Sequence, residues 1–510
     1  MAAEVDVSVV IPFYNPGADI DDCLTSMVQQ TISADRYEVI LVDDGSTDGS
    51  DQRVAGWVER YPSVLSLHRI AASGGPARPR NIGLTKARGR YVQFVDSDDT
   101  LALSALEHLV AIADRSAADI VVHKISAGGP RNIYHQLFRR TATNLTVDSC
   151  PQLLRNGTVC KLFRRQFLVD HDVRFPEGDT YIEDQHLCLR TYARAQSIAL
   201  VSDLVCYFHW QRRTAGDHFG DANVDPASYR HEVETLLDLV DTELAAPATR
   251  FAAVWRYYRG EVLGRLRGAA MLRYDDAYRR ALVAQLHELA VGRFPDAVHD
   301  RMPAIVRTES RLLRDNDTEG LTSLSEQLEK LRLHAVARDV RWADGRLILQ
   351  VDAHLRYADA DFRYERDGDD WLIPREFAPG VAAADRRWSA DDDSELDIDL
   401  ATIARADSSL WSTTDGLGMQ VDPDGRPSFT GTVSIDPASL AGGKALADGI
   451  WDLRLRLAFS GLQRSAGIQA GDGTSEEIVM PGGSATAFWT RRARRLALRI
   501  GTATDQTSPA

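Results

Sequence analysis

Within the first hundred residues, short β-branched runs alternate with segments of helical spacing, and each run breaks off into polar residues. "VSVVIPFYN" ends in an aromatic and an amide. "YEVILVDDGSTDGS" ends in paired aspartates and a Gly/Ser turn, and "RYVQFVDSDDT" in Asp96, Asp98 and Asp99. Between them, "DIDDCLTSMVQQT", "SDQRVAGWVERYP" and "GPARPRNIGLTKARG" read as helices; the first has acidic residues in its opening turn, where the helix dipole favours them. "SVLSLHRI" is a further strand and "LALSALEHLVAIADRS" the helix after the aspartates. Strand and helix alternating at this spacing imply a mostly parallel sheet covered on both faces. Functional groups of such sheets gather beyond the carboxyl ends of the strands, where these polar clusters fall.

At 510 residues the chain exceeds one ordinary core, so further domains are expected. From about 222 to 330, stretches such as "YRHEVETLLDLVDTEL" and "YRRALVAQLHELAVGRF" keep helical spacing. Beyond 330 the signals become short and period-two, as in "RLILQVDAHLRY" and "GIWDLRLRLAFSG", with Asp-Gly and Gly-Gly punctuation. The expected layout is an α/β domain over residues 1–221, a helical linker over 222–330, a β-sandwich over 331–500 and a disordered tail over 501–510. A hydrophobic content of 44% with 26% charged residues describes a globular chain. The net charge of −15 argues against a general nucleic-acid binder while leaving room for a local basic patch. Neither a signal peptide nor a membrane-spanning stretch is read. The five cysteines include no Cys-x-x-Cys pair, so neither a disulfide framework nor a zinc site is expected. A cytoplasmic location follows, with a peripheral contact at the inner face of a membrane left open.

The polar clusters carry the chemistry. Tyr14, just past a strand end, offers an aromatic face on which a base can stack. Asp43 and Asp44 suit Asx turns and capping, and an aspartate there also suits a base N–H. Arg78 and Arg80, in a Gly/Pro turn entering a helix, present the planar fork that fits phosphate or carbonyl oxygens. Asp96 and Asp98 form Asp-x-Asp, whose oxygens suit Mg²⁺ or Mn²⁺ completed by diphosphate. Such a cation would relieve the repulsion among the three aspartates and stabilise a diphosphate leaving group.

"VSVVIPFYN", "YEVILVDDGSTDGS", "ARPRNIGL" and "GRYVQFVDSDD", in that order, resemble the family 2 glycosyltransferases of GT-A fold. The resemblance implies a Rossmann-like nucleotide-sugar domain and a UDP-sugar donor. Tyr14 and Asp44 would line the uracil pocket, Pro12 would join the nucleotide-sugar contacts, Arg80 would touch the nucleotide, and Asp96 would reach the ribose or metal region. Asp98 would hold Mn²⁺ or Mg²⁺. "GDTYIEDQHLCLR" resembles the family's Glu-Asp motif at a helix start, which makes Asp184, with Glu183 beside it, the catalytic base. A sugar hydroxyl needs such a carboxylate to take its proton. In "VCYFHWQRRTAGDHF", Arg212 and Arg213 are implied at the diphosphate, His218 at the metal, and Trp210 near the acceptor. "QRRT" lacks the tryptophan of the Gln-x-x-Arg-Trp motif of processive synthases. "NGTVCKLFRRQFL" resembles a family segment near the acceptor, with its apolar residues expected in the core.

The three-part layout is similar to that of the wall teichoic acid glycosyltransferases, which decorate a polyol-phosphate polymer and trimerise through their C-terminal part. The expected function is therefore inverting transfer of a hexose or N-acetylhexosamine to a hydroxyl of a cell-surface glycan or polyol-phosphate polymer, by a homo-oligomer (trimer or dimer). The alternatives are transfer to a peptide or secondary metabolite, a phosphotransferase acting on the same polymer, and a non-catalytic glycan-binding protein with a vestigial first domain.

Overall fold

The computed structural model describes residues 5–127, 134–178, 180–210, 224–389, 396–471, 477–482, 484–490 and 492–501. The chain forms two compact units, divided after Arg256.

In the first unit, β1 (Val7–Phe13), β2 (Tyr37–Asp43), β3 (Leu65–Arg69) and β4 (Tyr91–Phe94) make a parallel array in the order β3-β2-β1-β4. Helices α1 (Asp19–Val28), α2 (Ser50–Arg60) and α3 (Ala77–Lys86) make the crossovers. Every residue of β1 is buried, as a strand covered on both faces must be. Ile20, Cys23, Leu24 and Met27 of α1 share a core with Val7, Val9 and Ile11. Gly83 lets α3 approach β1 closely: a Cβ there would stand 2.3 Å from Val10 Cγ1.

Past β4 the sheet departs from the mostly parallel expectation. It continues through β5 (Thr100–Leu101), α4 (Ala105–Ser116), β6 (Ile120–Ala127), β7 (Ala142–Leu145) and β8 (Leu162–Arg164), then α5 (Arg165–Asp170), α6 (Glu183–Arg194) and β9 (Ile198–His209). The order is β4-β8-β6-β9-β5, and β8 runs antiparallel to both its neighbours. No described α-helix separates β6 from β8, so no crossover imposes the parallel sense. The unit closes with α7 (Pro226–Glu243) and α8 (Pro247–Tyr257). Asp225 caps α7 by accepting from Ser228 N, and Pro226 takes the first helical position.

After two short helical turns over Tyr258–Val262 and Leu263–Leu266, the second unit continues with α9 (Gly268–Arg273), α10 (Asp276–Arg293), α11 (Asp296–Asp300), α12 (Ala304–Arg314) and α13 (Thr318–Leu328). At Leu331 the chain turns to strands. The hairpin β10 (Leu331–Ala343) and β11 (Arg346–Tyr357) pairs onward with Pro427–Ile435. A second sheet centres on Gly449–Phe459, flanked by Asp397–Ala404 and Leu496–Ile500. From Trp451 on, buried and half-buried residues alternate along Gly449–Phe459, the mark of a sheet with one apolar face. Phe429 and Phe459, one from each sheet, meet edge to face at 5.7 Å between ring centroids. Among the described residues, no helix is long and apolar enough to cross a membrane.

Candidate active site

The ends of β1 and β2 are laced together. Asn15, in the left-handed region at φ 48, accepts from Thr47 N at 2.7 Å through its side chain, and its own N donates to Ser46 Oγ at 3.1 Å. Tyr14, on this braced turn, is 51% exposed. Pro12 is buried within β1, opposite Val42. Asp43 makes the expected Asx turn by accepting from Ser46 N. Asp44 accepts from both Ser73 N and Ser73 Oγ through Oδ1. Burial pushes the Asp44 carboxyl up, opposed by the Ser73 bonds and the Arg78 charge. Gly45 permits this fold-back: at φ 80, with Ala72 N 2.8 Å from where a Cβ would stand, no other residue fits.

At the end of β4 the three aspartates separate in role. Asp99 is 1% exposed. Its Oδ2 accepts from the Tyr207 hydroxyl at 2.8 Å and pairs with His209 Nδ1 at 2.7 Å, while Oδ1 accepts from Trp210 N at 3.0 Å. Tyr207 also accepts from Asp96 N, so this network sets the turn that carries Asp96 and Asp98. A single cation explaining all three aspartates is therefore corrected: Asp99 is spent on β9. Trp210, expected near the acceptor, donates through Nε1 to Thr100 Oγ1. Asp96 and Asp98 are only partly buried. Their oxygen-only chemistry fits Mg²⁺ or Mn²⁺. Among the described residues no three His, Cys, Asp or Glu side chains form a metal cage, so such an ion would need diphosphate oxygens to complete its shell.

Arg80 joins this turn to the helix of the expected base. Its side chain is buried, with Nη2 donating to Asp96 Oδ1 at 2.8 Å and Nη1 to Glu183 Oε1 at 2.7 Å. It lies over the Phe175 ring at 5.3 Å. Burial opposes its charge, but Asp96, Glu183 and Asp184 outweigh burial and hold it firmly protonated. Arg80, expected to touch the nucleotide, is buried and ion-paired to Asp96 and Glu183, while its neighbour Arg78 is exposed and lies near Asp44. Glu183, expected beside the catalytic base, is buried against Arg80 at the start of α6. Asp184, partly exposed in the first turn of α6, accepts from Gln185 N at 2.8 Å. Arg212, Arg213 and His218 lie outside the described residues.

Sequence reasoning missed two groups. Lys161, in the run read as core, is 1% exposed, and its ammonium meets the Thr158 carbonyl, Cys188 Sγ at 3.5 Å and the Tyr192 ring at 5.4 Å. A lysine inside an apolar run was the available signal. Glu232, inside a plain helical segment, reaches the amides of Tyr181 and Ile182 just ahead of α6. Nothing in its local sequence marks it. An open cavity of about 580 Å³, lined by Asn81, Lys86, Arg174, Phe175 and Glu177 among others, lies beside this assembly and contains none of the strand-end carboxylates.

A parallel array with carboxylates at its strand ends, bridged by Arg80 to the first turn of α6, is the kind of crevice in which open α/β sheets bind their ligands. Residues 8–171 match the profile of glycosyl transferase family 2, and residues 226–325 that of the glycosyl transferase TarS linker domain. The chain thus carries a family 2 glycosyltransferase domain followed by a TarS-type linker domain. It is 25% identical over 353 residues to the poly(ribitol-phosphate) beta-glucosyltransferase of Bacillus spizizenii, covering 69% of this chain and 54% of that one. It is 28% identical over 363 residues to the poly(ribitol-phosphate) beta-N-acetylglucosaminyltransferase TarS of Staphylococcus aureus, covering 68% of this chain and 59% of that one. The chain thus spans little more than half the length of either relative. The crystal structure of S. aureus TarS superposes with a TM-score of 0.54 at 18% identity, over 98% of this chain and 86% of that one. Its 1–349 fragment in complex with UDP-GlcNAc also gives 0.54, at 23% identity, over 71% of this chain and 99% of the fragment. At these identities the likeness is one of fold.

Proposed function

We propose that this protein transfers a hexose or N-acetylhexosamine from a UDP-sugar to a hydroxyl of a polyol-phosphate polymer, with inversion at the anomeric carbon. The observation that carries the reading is Arg80, which ties the Asp96 turn to the helix bearing Asp184. The names of the two relatives, and the UDP-GlcNAc complex of the TarS fragment, support the donor and acceptor classes.

Asp184 takes the proton of the acceptor hydroxyl as its oxygen bonds to the anomeric carbon. The bond from that carbon to the β-phosphate oxygen breaks on the opposite face, and its electron pair leaves with UDP. Tyr14 stacks on the uracil, and the remaining lone pairs of Asp44 suit its N–H. A divalent cation at Asp98, with Asp96 beside it, would supply Lewis-acid stabilisation of the departing diphosphate. Arg80 and Glu183 keep the two halves of the site in register. The strand-rich C-terminal region serves as an accessory or oligomerisation module, and the enzyme works in the cytoplasm.

The test is calorimetric binding of UDP, CDP and GDP, each with Mn²⁺ and with chelator. Transfer assays with UDP-glucose and UDP-N-acetylglucosamine on poly(ribitol phosphate) follow. Selective, Mn²⁺-strengthened UDP binding and a β-linked product are expected. A folded sample that binds no nucleotide would overturn the reading. Equal binding with chelator would remove the cation from it. Light scattering in solution checks the oligomer, with a monomer as the contrary result.

A further inference from the structure

The helix carrying the expected base does not cap itself. Ile182 occupies its N-cap position and makes no side-chain capping bond. The amides ahead of the helix are satisfied from a different one. Tyr181 N donates to both carboxylate oxygens of Glu232, at 3.0 and 2.9 Å, and Ile182 N donates to Oε2 at 3.2 Å. Glu232 is buried and sits on α7, the first helix of the linker-type segment. At the far end of the same pair, Arg194 of α6 donates to both oxygens of Glu243 of α7, at 2.9 and 2.5 Å. Nearly equal numbers of residues separate the two anchor points on each helix, so α6 and α7 run side by side in the same direction.

The two anchors differ in where they act. Glu243 grips the end of α6 remote from the site. Glu232 grips the residues that lead directly into Glu183 and Asp184. Arg80 holds Glu183 from another direction. The base is therefore fixed between a buried arginine and a buried glutamate that belongs to a different sequence family segment.

We propose that Glu232 is a positioning residue of the transfer reaction: its carboxylate fixes the backbone that presents Asp184 to the acceptor hydroxyl. The inference rests on the transferase reading above. A buried carboxylate accepting main-chain N–H groups makes stronger bonds than a neutral acceptor. Proton abstraction is steep in geometry, a misplacement of about 1 Å costing on the order of 100-fold in rate. The first two linker helices thus help to build the catalytic unit, where α7 and nearly all of α8 are placed by their packing.

The experiment compares Glu232→Gln, Glu232→Ala and Glu243→Gln in the full chain. It measures kcat, KM for UDP-N-acetylglucosamine with poly(ribitol phosphate), UDP affinity and Tm. Loss of Glu232 is expected to lower kcat by about 10-fold in the Gln variant and about 100-fold in the Ala variant. KM and UDP affinity should stay within about twofold, because the nucleotide contacts lie on other strands. Glu243→Gln should lower Tm and leave kcat unchanged. If Glu232→Ala fails to fold, Glu232→Gln decides, since its carbonyl oxygen still accepts from one amide. Unchanged kcat in Glu232→Gln overturns the inference. So does a fall of kcat and UDP affinity together, in proportion to the folded fraction. A wild-type chain that binds no UDP would instead sink the transferase reading, a separable result.

Discussion

The first unit gathers carboxylates at the ends of strands, and the second unit buries an arrangement that resembles a hydrolase relay. In the second, Ser310 Oγ lies 2.8 Å from His299 Nδ1, and His299 Nε2 lies 3.0 Å from Asp385 Oδ1. Tyr258 adds a bond to Ser310 at 2.6 Å, and Arg311 one to Asp385. By residue types and distances this is a serine–histidine–aspartate chain. By burial it is not a site: Ser310 has no exposed surface and His299 is 3% exposed. It sits on α12 and the helices packed around it. At the end of β4, by contrast, Asp96 and Asp98 keep exposed surface while Asp99 is sealed. Access, more than the list of chemical groups, separates a centre of reaction from a polar rivet.

The comparison breaks most readily at Asp184. Asp184→Asn should lower transfer by about a thousand-fold while leaving UDP binding intact, because general-base contributions reach that size. Steady-state rates and calorimetric UDP titration check it. Full turnover in this variant would remove Asp184 from the base's role and leave the first unit as passive as the second.

The neighbouring aspartates sharpen the contrast within one turn. Asp99→Ala removes the acceptor used by Tyr207 and Trp210 and one partner of His209, so the unit should lose about 3 kcal/mol. Asp98→Ala should cost less stability than Asp99→Ala and change the response to Mn²⁺. Denaturant melts with and without Mn²⁺ distinguish them. Equal stability loss in both variants would mean that Asp98, too, is structural.

This turn shows what was legible and what was not. The periodicity placed β1, β2, β4 and their crossovers, because a strand buried on both faces writes itself as a continuous apolar run. The clusters at Tyr14, Asp44 and Asp96 fell where strand ends had to be. The antiparallel β8 was hidden, since three residues carry no periodicity of their own. The fates of Asp99 and Arg80 were also hidden. Each is decided by partners more than a hundred residues away, at Tyr207 and Glu183, and spacing along the chain does not report them. Glu232 was invisible for the same reason. Its helix shows a regular polar face, and only the fold reveals that one glutamate on it turns inward.

Acid should separate the two units next. His123 is fully buried, and burial pushes its pKa down to about 3; burial takes His186 of α6 down to about 4. Both stay neutral in the folded unit while the unfolded chain takes protons below the ordinary value near 6.5. Their stabilisation is therefore whole above that pH and is lost as pH falls towards the folded values, at about 1.4 kcal/mol per histidine per pH unit. His299 is also lowered by burial, but Asp385 opposes the shift. Hydrogen exchange read separately for each unit between pH 7 and 5 should show the first unit weakening faster. His123→Phe should flatten its slope. Parallel slopes in the two units would show that these histidines do not set the difference.

The smallest expected effect tests the rivet itself. Ser310→Ala removes the acceptor and donor shared by Tyr258 and His299, in a place already closed to water. One buried hydrogen-bond group lost from such a cluster should cost about 1 kcal/mol, because each neighbour keeps part of its remaining surroundings. Glycosyl transfer should be unaffected, and a fluorophosphonate probe should label neither the wild type nor the variant. Nucleophilic catalysis needs a hydroxyl that a substrate can reach as well as a base that can take its proton. Labelling of Ser310 in the native chain would show that the second unit opens to bring that hydroxyl to solvent, and the contrast drawn from burial would then fail at its quieter end.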